Sequence, residues 1–296
     1  MAEIIQRDGT WTFDGETVRI VPGRDKGVHL TRQTLGELTV PLAALAGVAY
    51  EPGRKSGRLR LRLREGADPL LLATRGKLPD AADPYQLSVE PDRTGVAEYF
   101  VDEVRNALLL DQVPAGPCDR FLLPGPAVPL TVSAGDGTAS FDGDRIRLEW
   151  NWKTEESKKS AGTRTFSVAD VDAVEWLPAM GLENGYLRFV VGKASTKAPA
   201  KYDPHAVELY GFRKDPVMAL VGAAVIARLP HPAAPAVAAP AVGAAGGSAA
   251  DGGTGGGQDD HDALLRRLRE LGELRQGGVL TEEEFTAAKQ AVLRRF

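Results

Sequence analysis

The sequence predicts a mainly β (α+β) protein: two tandem β-barrel or sandwich domains, each closed by one C-terminal helix, then a flexible linker and a C-terminal α-helical hairpin. Three observations predict it. One phrase is written twice, "DGTWTFDG" at Asp8–Gly15 and "DGTASFDG" at Asp136–Gly143. Each copy continues in short segments of period-two alternation broken by Gly, Asp and Pro, and ends on one longer helical run. The remainder changes composition, first to Ala, Pro and Gly, then to leucines at helical spacing.

The duplication holds in order along the chain. "ETVRIV" follows the first phrase and "DRIRLE" the second, with Val18 and Ile20 answering Ile146 and Leu148. "LTVPLAALAGVAYEP" (38–52) aligns with "RTFSVADVDAVEWLP" (164–178), "GRLRLRL" from Gly57 with "GYLRFVV" from Gly185, and "DPYQLSV" from Asp83 with "DPHAVEL" from Asp203. "GVAEYFVDEVRNALLL" and "KDPVMALVGAAVIARL" close the copies as helices. The offset drifts from 128 to 120, as loop-length changes would produce. The expected domains are residues 1–113 and 124–230, a period suited to whole domains rather than to solenoid units.

Residues 231–260 read as a linker, with too little large apolar side chain to offset the entropy of ordering it. Residues 261–296 read as a helical hairpin. Leu264, Leu265, Leu268, Leu271 and Leu274 share one face, Gly277-Gly278 stops the helix, and Thr281 with Glu284 forms a capping box for a second helix carrying Phe285, Ala288, Val292 and Leu293. Two helices of this length bury little surface alone, so the leucine face with Phe285, Val292 and Leu293 is the expected assembly face. This tail, with "ELRQGGVLTEEEF", resembles the SHOCT (short C-terminal) family. The resemblance implies oligomerisation or contact with another protein, and brings no catalytic residues.

The strand order of each copy, closed by one helix, looks like a pleckstrin-homology-like (PH-like) fold. The phrase "FDG..(V/I)R(I/L)" and the "G.LRF" strand resemble the tandem DUF4429 domains that accompany SHOCT tails in actinobacterial proteins. That resemblance covers nearly the whole chain and implies no known active site.

Composition excludes several classes. A net charge of −4, near balance in every part, gives no strongly basic body, so nucleic acid is not an expected partner. The single cysteine, Cys118, excludes an internal disulfide and suits a reducing compartment. The start "MAEIIQRDGT" reads as no secretory signal, and the longest apolar run, 217–227, is 11 residues where a spanning helix requires about 20. A cytoplasmic location follows as an expectation. The four histidines are scattered, and no HExxH, GxSxG, P-loop or Cys/His cluster is present, so no catalytic residue, metal or cofactor is expected.

The remaining candidates are surfaces. Asp14-Gly15 and Asp142-Gly143 are read as hairpin turns rather than paired carboxylates. Arg58, Arg60, Arg62 and Arg64 alternate with leucines; the row would dock an acidic partner, or be the solvated side of an edge strand. In "WNWKTEESKKSAGTR", Trp150 and Trp152 are expected on one face of a strand, followed by Lys153, Lys158, Lys159 and Arg164. Such a loop suits an anionic ligand or membrane surface, although Glu155 and Glu156 dilute its charge and the tryptophans would also serve to cover a barrel mouth. Three functions follow: a non-enzymatic cytoplasmic binding or scaffold protein; a peripheral membrane protein using the Trp/Lys loop on anionic lipid; and an enzyme with its site between the copies, which requires a pocket of convergent polar groups there.

Overall fold

Alternation and turn chemistry decide the first repeat. The computed structural model describes residues 1–192 and 198–234. Strands β1 (Ala2–Gln6), β2 (Gly9–Phe13), β3 (Thr17–Pro22) and β4 (Leu38–Pro41) form one antiparallel sheet in sequence order. A short helix α1 (Leu30–Leu35) fills the connection between β3 and β4. A second sheet holds β5 (Leu45–Glu51), β6 (Gly57–Leu63) and β7 (Gln86–Val89), with helix α2 (Pro69–Thr74) between the last two. Helix α3 (Thr94–Leu110) closes the repeat, turning Ala97, Phe100, Val101 and Val104 inward at helical spacing.

The second repeat rebuilds this plan. β8 (Leu130–Ala134), β9 (Gly137–Phe141), β10 (Arg145–Trp150) and β11 (Arg164–Ser167) make its four-stranded sheet, with helix α4 (Glu156–Ser160) between the last two. β12 (Val171–Leu177), β13 (Gly185–Val191) and β14 (Ala206–Leu209) make the three-stranded sheet, and α5 (Met218–Ile226) follows. Even the irregularities match: a register shift falls at Leu45/Gly47 in β5 and at Val171/Ala173 in β12. The Phe-Asp-Gly turns are hairpins, as read. Asp14 Oδ1 accepts from the Glu16 and Thr17 amides and Asp142 Oδ1 from those of Asp144 and Arg145, while Gly15 and Gly143 take φ of 110° and 115°.

Two expectations are corrected. Each repeat was expected to carry a single helix, yet α1, α2 and α4 are also present; at five or six residues they are too short to leave a periodic signal. What specifies α2 is capping: Asp68 accepts from the Leu70 and Leu71 amides at 3.0 and 3.2 Å, Pro69 starts the helix, and Arg75 ends it in a left-handed conformation. Second, β6 is the central strand of its sheet and not an edge, since Arg58 and Arg60 stand opposite β7 as well as β5.

The repeats differ in their closing helices. All nine residues of α5 are buried, whereas α3 keeps a polar outer face. The difference lies in α2, whose Leu70 and Ala73 belong to the core of the second repeat, with Leu30 and Leu35 of α1 packed against the same cluster. Thus α5 has its own sheets on one side and the first repeat on the other. Gly222 allows the sheet side to close, because a Cβ there would approach Leu187 and Val174 to 3.1 and 3.3 Å. Both repeats fall in a single compact unit. The assembly face proposed for the tail, Leu264 to Leu293, lies outside the described residues.

Candidate functional site

The repeated "DGT" has a structural role. Asp8 and Asp136 sit in matching hairpins, and each joins the two sheets of its repeat. Asp8 Oδ2 accepts from the Ser88 amide at 3.1 Å and pairs with Arg32 of α1 at 3.1 Å. Asp136 Oδ1 accepts from the Glu208 amide at 2.8 Å, and its Oδ2 pairs with Lys158 of α4 at 2.6 Å. Lys158 is wholly buried, donating also to the Ala206 carbonyl at 2.7 Å and lying 4.4 Å from the Trp150 ring centre. Burial pushes Asp136 above and Lys158 below its ordinary range, against the attraction between them.

Lys158 therefore leaves the proposed cationic surface: its position on the inner side of α4 turns it into the sheet seam. Trp150 and Trp152 are not on one strand face either. β10 ends at Trp150, which is half-buried with its indole donating to the Gly162 carbonyl at 2.8 Å, while Trp152 lies in the turn beyond and is 82% exposed. Arg164 stands apart on β11, opposite Leu148 and half-buried.

What remains gains partners that the sequence reading missed. The Lys153 ammonium lies 5.5 Å from the ring centre of Trp152, 5.7 Å from Tyr210 and 5.1 Å from Phe212. Phe212 is 58% exposed, and Lys214 beside it is exposed too. Lys159 donates to the Trp152 carbonyl at 3.3 Å, fixing that turn. The β12–β13 hairpin brings Met180 and Leu182, both exposed, to this end of the repeat, since Asn184 bonds Glu208 at 3.1 Å and Gly211 lies against Ala179. The missed signal was a comparison between copies. "YGFR" at 210–213 stands where the first copy has "EPDR" at 90–93, so aromatic residues replace acidic ones at one end of one repeat.

The arginine row, by contrast, is largely engaged. Arg58 and Arg60 reach Asp80 at 3.0 and 3.7 Å, Arg62 reaches the Ala46 carbonyl at 3.5 Å, and Arg64 bonds the carbonyls of Ala43, Gly116 and Pro117. Arg64 thereby ties the connector between the repeats to β6.

A cavity of about 460 Å³ does lie where the repeats meet. Among the described residues, its ionisable lining groups are Asp68, Tyr85, Glu37 and Arg228, and the lining holds no Ser, Cys, His or Lys. Among the described residues, no group of His, Cys, Asp and Glu is arranged to hold a metal, and no helix is long and apolar enough to cross a membrane.

Two sheet pairs, each followed by a helix and joined through α2 and α5, define a duplicated, mainly β protein with an aromatic and cationic end on its second repeat. Residues 11–105 and 139–226 match the family described as Domain of unknown function (DUF4429), and residues 266–293 match the Short C-terminal domain, SHOCT. The chain belongs to the DUF4429 family and carries a SHOCT tail. No curated protein matches it.

Proposed function

We propose that this chain is a non-enzymatic, cytoplasmic binding and scaffold protein. Its PH-like pair recognises an anionic partner through the end of the second repeat, and its SHOCT tail gathers copies or contacts another protein. The observation that carries this reading is the exposed Trp152, with Lys153 held among Trp152, Tyr210 and Phe212. Aromatic groups presented to water beside fixed cations suit contact rather than core packing. The layout of four strands, three strands and a helix supports the PH-like comparison. At the junction cavity Glu37 is paired with Arg19 and Asp68 caps α2, roles that suit the non-enzymatic reading.

A second reading is favoured by Leu182, fully exposed at the tip of the β12–β13 hairpin: the partner surface is an anionic membrane. Co-sedimentation with vesicles of phosphatidylserine and phosphatidylcholine separates the two. Under the membrane reading the parent sediments, and the combined variant Trp152→Ser, Lys153→Ser, Phe212→Ser, Lys214→Ser loses binding by about tenfold or more, each lysine contributing about 1 kcal/mol near such a surface. Sedimentation that survives all four changes excludes this end as the lipid contact; a parent that stays in solution leaves a protein partner.

The tail is tested by absolute molar mass from light scattering. A chain ending at Ala234 is the right comparison, because His231 still bonds the Gly66 carbonyl at 3.0 Å and packs on Phe121. A multimeric full chain and a monomeric shortened one are expected if the tail assembles copies. Two equal masses would reject self-assembly through it.

A further inference from the structure

The walls of the junction cavity come from several separate stretches of both repeats and their connector. Leu35 and Leu38 flank the turn into β4, Leu70 comes from α2, Leu123 from the connector, and Arg228 from just beyond α5. At about 460 Å³ it falls within the range of small-molecule sites, which combine apolar walls with a few placed polar groups.

The deep polar group is Asp68, nearly inaccessible to solvent. Its Oδ2 accepts from the Leu71 amide at 3.2 Å and the Tyr85 hydroxyl at 2.8 Å, while Oδ1 accepts, among the described residues, from the Leu70 amide alone at 3.0 Å. An ionised carboxylate has about four acceptor positions, so Oδ1 keeps one. Tyr85 has committed its proton to Asp68 and offers lone pairs alone. With Asp68 ionised, both of these lining groups accept hydrogen bonds, and the polar group they suit is a donor.

Charge favours a cationic donor. Burial and the neighbouring Asp83 raise Asp68 above the usual carboxylate range, a penalty on its ionised form that a bound ammonium would offset. The other charged lining groups are engaged elsewhere. Glu37 is paired with Arg19 at 2.8 Å. Arg228 donates to the Ala224 carbonyl at 2.8 Å, with its guanidinium 5.1 Å from the Phe141 ring centre.

We propose that the junction cavity binds a small, largely apolar molecule carrying a protonated amine, its ammonium group bonded to Asp68 Oδ1 and its hydrocarbon part lying among Leu35, Leu38, Leu70 and Leu123. Because both repeats and their connector form the walls, such a ligand binds only the assembled pair and stabilises it by mass action.

The test is saturation-transfer NMR on the full chain with three probes of one shape: 2-phenylethylamine, 2-phenylethanol and phenylacetate. The amine is expected to bind, the alcohol about tenfold more weakly, and the acid not at all. Thr39→Trp, at an exposed lining position, should abolish amine binding while the unfolding temperature stays near that of the parent. Asp68→Asn, which keeps the capping acceptor, should weaken binding by about tenfold or more. If Asp68→Asn does not fold, Thr39→Trp decides alone. The proposal is overturned if the parent does not bind the amine, if amine and acid bind equally, or if Thr39→Trp leaves amine binding unchanged.

Discussion

Replacing Lys158 by Met is expected to lower unfolding stability by about 3–5 kcal/mol, the range for removing one partner of a buried ion pair. The reason is local. Asp136 would either stay charged without its cation or have to take up a proton in the seam between two sheets, where Lys158 meets it at 2.6 Å. Burial disfavours the charged form of both groups, which leaves two accounts of the loss: an orphaned buried charge, or the lost geometry of the pair. A second substitution separates the two ideas. Lys158→Met combined with Asp136→Asn removes both charges and keeps an acceptor for the Glu208 amide, so most of the loss should be recovered. Urea unfolding of the single and double variants checks this, and equal losses would refute it. In the first repeat, Arg32→Met should cost less, because the Asp8 side chain is about a quarter exposed and water can solvate the orphaned carboxylate.

The second large effect concerns the joining of the repeats. Residues 124–234 expressed alone are expected not to fold, because α5 would present to water the side that α2 covers. In the full chain, Leu70→Ala should cost about 2–5 kcal/mol as a fully buried leucine, although Leu70 lies outside the repeat whose core it fills. The loss should reach both repeats. Trp11 reports the first and Trp176 the second, so single-tryptophan variants should show one shared transition that moves down with Leu70→Ala. A second repeat that folds alone and unfolds cooperatively, or a Leu70→Ala effect confined to the Trp11 signal, would show the repeats to be independent.

These effects bear on function. The aromatic end is a surface feature, and substitutions at Trp152 or Lys214 should leave stability within about 0.5 kcal/mol of the parent, as for exposed positions generally. Loss of binding in such variants can therefore be read as loss of contact. Lys158, chosen for its charge, would mislead in the same experiment, since its variant would fail through unfolding.

The sequence by itself determined the duplication, the strand order, the hairpin turns and the change of composition after the second repeat. Each is written in local pattern: period-two alternation places Leu59, Leu61 and Leu63 inward on β6, and Asp-Gly supplies the turn that a positive φ requires. Tertiary structure decided which of the sequence-singled cations face water. Lys158 and Lys159 are adjacent letters, yet one closes a buried seam and the other braces an exposed turn, because successive residues of α4 face different ways. It also decided that Lys153 meets Phe212, about 60 residues later, and that Leu70 completes a core beginning about 60 residues further on. Contacts between segments so far apart leave no periodic trace, since they depend on how β10, β14 and α5 are brought together after each has formed.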